Sequence, residues 1–166
     1  DEPAIVLHSS GTTTRPKAIL LSHRNLVTNA IGKLQAMPQF ESDRRLNLLP
    51  FAHAYARTCE LGTWAIAGGA MCCVSGIDQA QTVCVLLKPT LLNGVPSIYH
   101  RLQRSTSSLG EFKKHLLLGG SLRMIASGGA GLDDETFHAY QSIGLPIHQG
   151  YGLTETSPVV CSSRFG

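Results

Sequence analysis

Short apolar runs rich in Leu, Ile, Val and Ala alternate along this chain with segments whose apolar positions recur at helical period. The runs predict strands at Ala4–His8, Ala18–Leu21, Arg45–Leu49, Ala70–Val74, Thr90–Val95, Leu122–Ser127 and Pro146–Gln149. The periodic segments predict helices at His23–Ala36 behind Ser22 as N-cap, Ala54–Ala67, Asp78–Leu87, Pro96–Ser105 with proline in the first turn, and Asp133–Ile143. Glycine pairs at Gly68-Gly69, Gly119-Gly120 and Gly128-Gly129 punctuate the joins. This alternation is the pattern of an α/β fold, a largely parallel sheet flanked by helices. With no internal repeat and no low-complexity linker, residues 1–166 read as a single domain.

Composition narrows the class. The 166 residues, 43% of them hydrophobic, suffice for one domain with a real core. The 14 basic and 11 acidic residues are dispersed and leave a net charge of +3, with no run of like charge to form a nucleic-acid or membrane footprint. Cys59, Cys72, Cys73, Cys84 and Cys161 form no CxxC and no zinc spacing, and their odd number argues against a disulfide framework. They read as reduced, mostly buried small hydrophobes of a cytoplasmic protein. No leader opens the chain, and no apolar stretch approaches the ~20 residues that span a bilayer. A chain that starts at Asp1 and stops just after a rich motif reads as a piece cut from a longer protein, and strand edges exposed by such a cut would favour self-association.

The candidate chemistry sits in loops after predicted strands. Directly after the first strand, His8-Ser9-Ser10-Gly11-Thr12-Thr13-Thr14-Arg15-Pro16-Lys17 packs hydroxyl donors, a glycine and a lysine into one turn. Backbone N–H groups and hydroxyls can converge there on phosphate oxygens, while the ammonium supplies a point charge. Ser/Thr/Gly clusters are commonly plain surface loops, but ligands of open α/β sheets sit at the carboxyl ends of strands, where this one lies. It is not a Walker loop, because Pro16 and Ala18 flank the lysine in place of glycine and Ser/Thr. Near the other end, Ser127-Gly128-Gly129-Ala130-Gly131-Leu132 and Gly150-Tyr151-Gly152-Leu153-Thr154-Glu155-Thr156 each follow a predicted strand. Small residues let backbone approach a flat base, a tyrosine between glycines offers an open aromatic face, and a glutamate offers the hard oxygen that Mg²⁺ favours.

Taken in order, these motifs resemble the adenylate-forming, AMP-binding enzyme superfamily. The first loop is similar to its Thr-Ser-Gly-Thr-Thr-Gly-x-Pro-Lys-Gly segment, continued by Leu20-Leu21-Ser22-His23-Arg24-Asn25-Leu26. The later pair is similar to its Gly-Gly-Ala-Pro-Leu and Gly-Tyr-Gly-x-Thr-Glu motifs, continued by Ser157-Pro158. The resemblance spans nearly the whole chain. It implies that Ser9, Ser10, Gly11, Thr12, Thr13 and Lys17 hold the β- and γ-phosphates of ATP. It further implies that Gly129, Ala130 and Gly131 line the adenine, that Tyr151 between Gly150 and Gly152 stacks on it, that Thr154 holds phosphate and that Glu155 ligates Mg²⁺.

Between the motifs, Leu49-Pro50-Phe51-Ala52-His53-Ala54-Tyr55-Ala56-Arg57 is similar to the family's Leu-Pro-x-x-His segment, which places His53 beside the acid substrate. Arg57, the Leu118–Arg123 stretch and the Lys88–Pro96 stretch most resemble long-chain fatty-acyl-CoA synthetases. Leu61, Trp64 and Ile66 read as buried core rather than as an acyl pocket. The implied reaction joins a small carboxylic acid to AMP and then to coenzyme A. The family's ribose-binding aspartate and its late lysine, the latter on a separate C-terminal domain, would lie beyond residue 166, so the isolated chain is expected to adenylate nothing efficiently. The alternatives are an amino-acid or aryl-acid adenylation domain and a degenerate nucleotide-binding module that does no catalysis.

The last alternative rests on Thr14 and Ala18, which stand where the family pattern has glycines. If the Thr14 position requires positive φ, a β-branched residue there costs on the order of 1–2 kcal/mol. Thr14→Gly in the full-length protein is therefore expected to tighten ATP binding several-fold by calorimetry, and an unchanged affinity would dismiss the idea.

Overall fold

The computed structural model describes residues 2–9, 16–105 and 119–165. β1 (Pro3–Ser9) and β2 (Lys17–Ser22) pair antiparallel as a two-stranded ribbon with Ser9 opposite Lys17. The other strands are β3 (Arg44–Asn47), β4 (Ala70–Cys73), β5 (Leu91–Gly94), β6 (Met124–Ser127), β7 (Ile147–Gly152) and β8 (Val159–Ser162). They form one sheet in the order β4-β3-β5-β6-β7-β8, parallel from β4 through β7, with β8 antiparallel at the edge. The expected α/β architecture is thus present. Two features differ from the sequence reading. The first two strands belong to a sheet of their own, and β8 goes unsignalled because Val159–Ser162 is too short to show a period beside the Ser157-Pro158 turn.

The helices are α1 (His23–Ala36), α2 (Ala54–Ala56), a π-helical stretch Arg57–Gly62, α3 (Thr63–Ala67), α4 (Ile77–Leu87), α5 (Pro96–Ser105) and α6 (Asp134–Ser142). Ser22 caps α1 as expected, accepting from the Asn25 N–H while the Asn25 side chain accepts from the Ser22 N–H. Asp133 caps α6 through the Thr136 N–H.

Strand periodicity explains how both faces of the sheet are covered. Leu46, Leu92, Ile125 and Ile147 turn to one face and pack with Ile77 and Cys84 of α4, Tyr99 and Leu102 of α5, and Tyr140 of α6. Leu91, Met124 and Ala126 turn to the other, against Met37 just past α1. Tyr99 is fully buried and satisfied, its hydroxyl donating to the Ala126 carbonyl at 2.6 Å, with the Tyr140 ring edge-on at 5.4 Å. Leu7 and Leu21 seat the ribbon on Ala54.

One carboxylate ties the strand beginnings together. Asp43, just before β3, accepts from Arg123 Nε at 2.9 Å, from Thr90 Oγ1 at 2.7 Å and from the Phe40 N–H at 2.8 Å. Thr90 leads into β5 and Arg123 into β6, and the Asp43 carbonyl takes the N–H of Ala70 at the start of β4. Burial alone would raise the Asp43 carboxyl, but the hydrogen bonds from Arg123, Thr90 and Phe40 win and hold it below the usual range.

The second face carries polar residues that the apolar-run reading of the strands did not anticipate. Arg45, Asn47 and Asn93 alternate with the apolar positions of β3 and β5 and are all buried. Over them lies the π-helical stretch, whose Glu60 is fully buried 3.4 Å from Arg45 Nη1. Arg45 also donates to the Glu60 carbonyl at 2.5 Å, to Thr63 Oγ1 at 2.8 Å and to Gln39. Desolvation pushes the Glu60 carboxyl up to about 7 in spite of Arg45. Asn93 lies near enough to favour the charged form, yet neither Glu60 oxygen has a hydrogen bond of good geometry among the described residues.

Two smaller expectations are corrected. Of the cysteines only Cys59 and Cys84 are buried, while Cys73 and Cys161 are exposed, because β4 and β8 are the sheet's edge strands and leave one side open. Leu61 and Trp64 are half-buried and Ile66 is 47% exposed, since the π-helical stretch turns the apolar stripe after Glu60 away from the sheet.

A group whose folded pKa is raised holds a proton that the unfolded chain has already released, so its stabilising contribution fades as pH rises through the folded value. For Glu60 that window runs from about 4.5 to about 7. Relative to Glu60→Gln, the wild-type full-length protein is expected to lose about 3 kcal/mol of stability between about pH 5 and about pH 8 in urea denaturation. A pH-independent difference would show that the carboxyl titrates normally.

Candidate functional site

The carboxyl ends of the parallel strands open into a cleft of about 640 Å³. Its walls come from the segment before α2 (Leu49, Pro50, His53), from α2 (Tyr55, Ala56), from the turn after β6 (Gly128, Gly129) and from β7 with its following turn (Gly150 to Glu155). The sequence-predicted residues His53, Gly129, Gly150, Tyr151, Gly152, Thr154 and Glu155 therefore meet around one space.

Local chemistry places each of them. His53 is the N-cap residue of α2, extended at φ −91° and ψ 140°, and its side chain makes no capping bond, which leaves the exposed imidazole available to the cleft. Gly129 adopts φ +81°, a conformation that costs glycine nothing, and the chain turns there toward α6. Ala130 and Gly131 lie exposed beyond that turn and do not line the cleft. Gly150, Tyr151 and Gly152 are not a loop after β7, as the sequence reading had them, but its last residues, paired with Ser162, Cys161 and Val159 of β8. Their ladder to β8 fixes the backbone, and Tyr151 stays 61% exposed with its ring free of cover.

Thr154 and Glu155 open a 3-10 turn, Thr154–Thr156. Thr156 locks it, accepting from the Leu153 N–H at 2.9 Å and donating to the Pro158 carbonyl at 2.5 Å. Asn29 of α1 braces the next strand, donating to the Val159 carbonyl at 2.8 Å and accepting from the Val159 N–H at 3.1 Å. Thr58 of the π-helical stretch donates to the Ser157 carbonyl at 3.0 Å. Glu155 is held out into solvent at the cleft mouth.

Ser9 ends β1 and Lys17 begins β2 directly opposite, with the Lys17 side chain exposed. β2 also touches the 3-10 turn of Thr154–Thr156. Ser10, Gly11, Thr12 and Thr13 lie outside the described residues, as does Thr14.

The sequence reading passed over Tyr55, Lys33, Leu153 and Pro158, all of which line the cleft. Tyr55 had a legible signal, standing two residues after His53 in a motif already singled out. Lys33 had none, since a lysine in the last turn of an amphipathic helix reads as solvated. It is only 3% exposed. Burial pulls its ammonium below the ordinary lysine value, opposed by the nearby Cys59 and Glu60. Cys59 itself is pushed up to about 12 by burial, so it stays a thiol.

For a metal, the donor set is a single carboxylate. Among the described residues no cluster of three or more His, Cys, Asp or Glu side chains exists, and Glu155 stands alone beside Thr154. A lone carboxylate of this kind suits Mg²⁺, which keeps its waters and takes one or two carboxylates with substrate phosphates.

Comparison with known proteins agrees with the geometry. A family model described as AMP-binding enzyme matches residues 1–165. Long chain acyl-CoA synthetase 6, peroxisomal, of Arabidopsis thaliana is 28% identical over 96% of this chain and 28% of its own length. Feruloyl-CoA synthase of an Amycolatopsis species is 29% identical over 96% of this chain and 32% of its own. ATP-bound MatB from Rhodopseudomonas palustris superposes with a TM-score of 0.85 at 28% identity, covering 99% of this chain and 31% of that one. The chain thus spans about a third of the length of the relatives it matches.

A Cβ on Gly152 would lie 1.7 Å from the Pro158 carbonyl oxygen, whereas one on Gly150 would meet nothing closer than 3.7 Å. Gly152→Ala is expected to lower the melting temperature of the full-length protein by more than about 5 °C. Gly150→Ala should leave it nearly unchanged, and equal effects would contradict the close approach of Pro158 to β7.

Proposed function

Since the chain belongs to the AMP-binding enzyme family, we propose that the protein containing it is an ATP-dependent acid–thiol ligase that activates a small carboxylic acid, an aliphatic fatty acid in the first instance. The observation that carries this reading is that one cleft takes in His53 from the acid-side motif and Gly129, Tyr151, Thr154 and Glu155 from the nucleotide-side motifs.

The chemistry runs in two halves. A carboxylate oxygen attacks the α-phosphorus of ATP, the bond to the bridging oxygen breaks, and pyrophosphate leaves. The thiol of coenzyme A then attacks the acyl carbon, forming the thioester, releasing AMP and giving its proton to solvent. Neither half needs a strong general base for the acid, which is already ionised at neutral pH. What the chain's residues contribute is position and charge. Tyr151 offers its open face to adenine, Gly129 and Gly152 let backbone come close to it, and Thr154 donates to a phosphate oxygen. His53 flanks the acid. Ser9, Ser10, Gly11, Thr12, Thr13 and Lys17 hold the outer phosphates. Glu155 would hold Mg²⁺, whose contribution when bound is to neutralise charge on the phosphates.

Support for the acyl-CoA reading comes from relatives whose names specify acyl-CoA or feruloyl-CoA synthesis. Because the aryl-acid relative is as similar as the long-chain one, the test is a panel. No helix among the described residues is long and apolar enough to cross a membrane.

Pyrophosphate exchange by the full-length protein is expected with aliphatic acids in preference to aryl and amino acids. Glu155→Gln should reduce that exchange at least about a hundredfold. Absence of exchange with every acid would favour a nucleotide-binding module that does no catalysis.

A further inference from the structure

Thr154 and Glu155 stand on a turn whose internal bonds close it on itself without setting where it sits in the molecule. The strand that follows gives weak support. The register of β8 on β7 slips between Tyr151 and Gly152, so Val160 has no residue opposite, and a slip of this kind breaks the run of ladder hydrogen bonds. β8 is also the edge of the large sheet, with no further strand beside it among the described residues.

Asn29 of α1 takes the place of the missing neighbour. Its Nδ2 donates to the Val159 carbonyl at 2.8 Å and its Oδ1 accepts from the Val159 N–H at 3.1 Å, the two bonds that another strand would supply. Nδ2 also donates to the Thr156 carbonyl at 3.4 Å, inside the turn itself. A side-chain amide suits this post because it carries a donor and an acceptor together. One helical turn on, Lys33 reaches β8 as well, donating to Ser162 Oγ at 3.2 Å. The helix that bears Asn29 is at the same time the continuation of the ribbon. β2 begins at Lys17 and ends at Ser22, which caps α1 together with Asn25, and Asn29 follows about two helical turns later. Lys17 and Glu155 are therefore joined by a short stiff path of strand, capped helix and amide.

We infer that Asn29 is a positioning residue for adenylation, holding the Thr154–Glu155 turn in fixed relation to the ribbon that carries Lys17. This rests on the ligase reading above and adds a residue to its machinery. Asn29 does not line the cleft, so it acts through the turn rather than on substrate. The phosphates held at Lys17 and the metal held at Glu155 belong to one Mg·ATP, and a turn displaced by about 1 Å grips one end of it at the expense of the other.

The test is pyrophosphate exchange by the full-length protein as Mg²⁺, ATP and acid are varied in turn. Asn29→Ala removes the amide and improves local helix propensity, so α1 itself is not weakened. It is expected to lower kcat about tenfold or more and to raise the Mg²⁺ concentration of half-maximal exchange severalfold, with KM for the acid unchanged. Asn29→Asp keeps the shape and one acceptor but turns an oxygen against the Val159 carbonyl, and should do the same. Thr28→Ala, at the neighbouring position whose hydroxyl donates back to the Arg24 carbonyl at 2.7 Å, should behave as wild type. Amide hydrogen exchange separates positioning from general stability. The Val159 amide should lose protection in both Asn29 variants while those of β5 and β6 keep theirs. Uniform loss across the sheet, or wild-type kcat and Mg²⁺ dependence in Asn29→Ala, would overturn this inference and leave the ligase reading standing. No exchange by the wild type with any acid would overturn the ligase reading and this inference with it.

Discussion

Everything in this fold hangs from the carboxylate of Asp43. A parallel sheet has no tight turn to set its register, so the starts of neighbouring strands must be aligned by something other than the chain's own connections. Here one side chain accepts from Thr90 ahead of β5, from Arg123 ahead of β6 and from the Phe40 backbone, while its own carbonyl takes the start of β4. With the amino ends of the strands drawn to one point, their carboxyl ends finish together, and that common finish is the floor from which the cleft residues rise. Phe40 adds its ring against the Arg123 guanidinium at 5.1 Å, covering the clamp from outside.

The sheet's two faces do different work. The α4–α5–α6 face is an ordinary apolar core in which even Tyr99 and Tyr140 find acceptors for their hydroxyls. The opposite face trades part of that apolar packing for Arg45, Asn47, Asn93 and Glu60, sealed under a π-helical stretch. A π-helical turn is a costly local choice that tends to mark functional positions. In this molecule it puts Glu60 over Arg45 and lets Thr58 reach the Ser157 carbonyl, linking the buried ions to the turn that carries Glu155. A buried ion pair is weak evidence of stability. Its presence behind the cleft is better understood as a way of fixing a polar surface in a place where solvent cannot reorganise it.

Much of this was legible in the residues, and the failures are instructive. Helix α1 is announced by the Ser22 and Asn25 capping pair and by its period, and α5 by Pro96 in its first turn. The convergence of His53, Tyr151 and Glu155 was legible because each stands at or past the carboxyl end of a strand, and the carboxyl ends of a parallel sheet share an edge. Pairing partners were not. Val159–Ser162 carries no alternation of its own and becomes a strand only because β7 offers it an edge. Lys33 and Arg45 were invisible for a different reason. Charge on a helix or strand reads as surface, and only tertiary packing over the sheet reveals that theirs is enclosed.

Among the described residues the ribbon of β1 and β2 shares no backbone ladder with the large sheet, and Leu7 and Leu21 rest it on Ala54 of α2. Lys17 and Tyr151 are thus borne by separate sheets, packed through apolar side chains and linked through α1 rather than by a row of ladder hydrogen bonds. Such a joint is a bearing. A change in the ribbon's tilt would therefore disturb apolar contacts at Leu7 and Leu21 and leave every strand ladder of the large sheet paired.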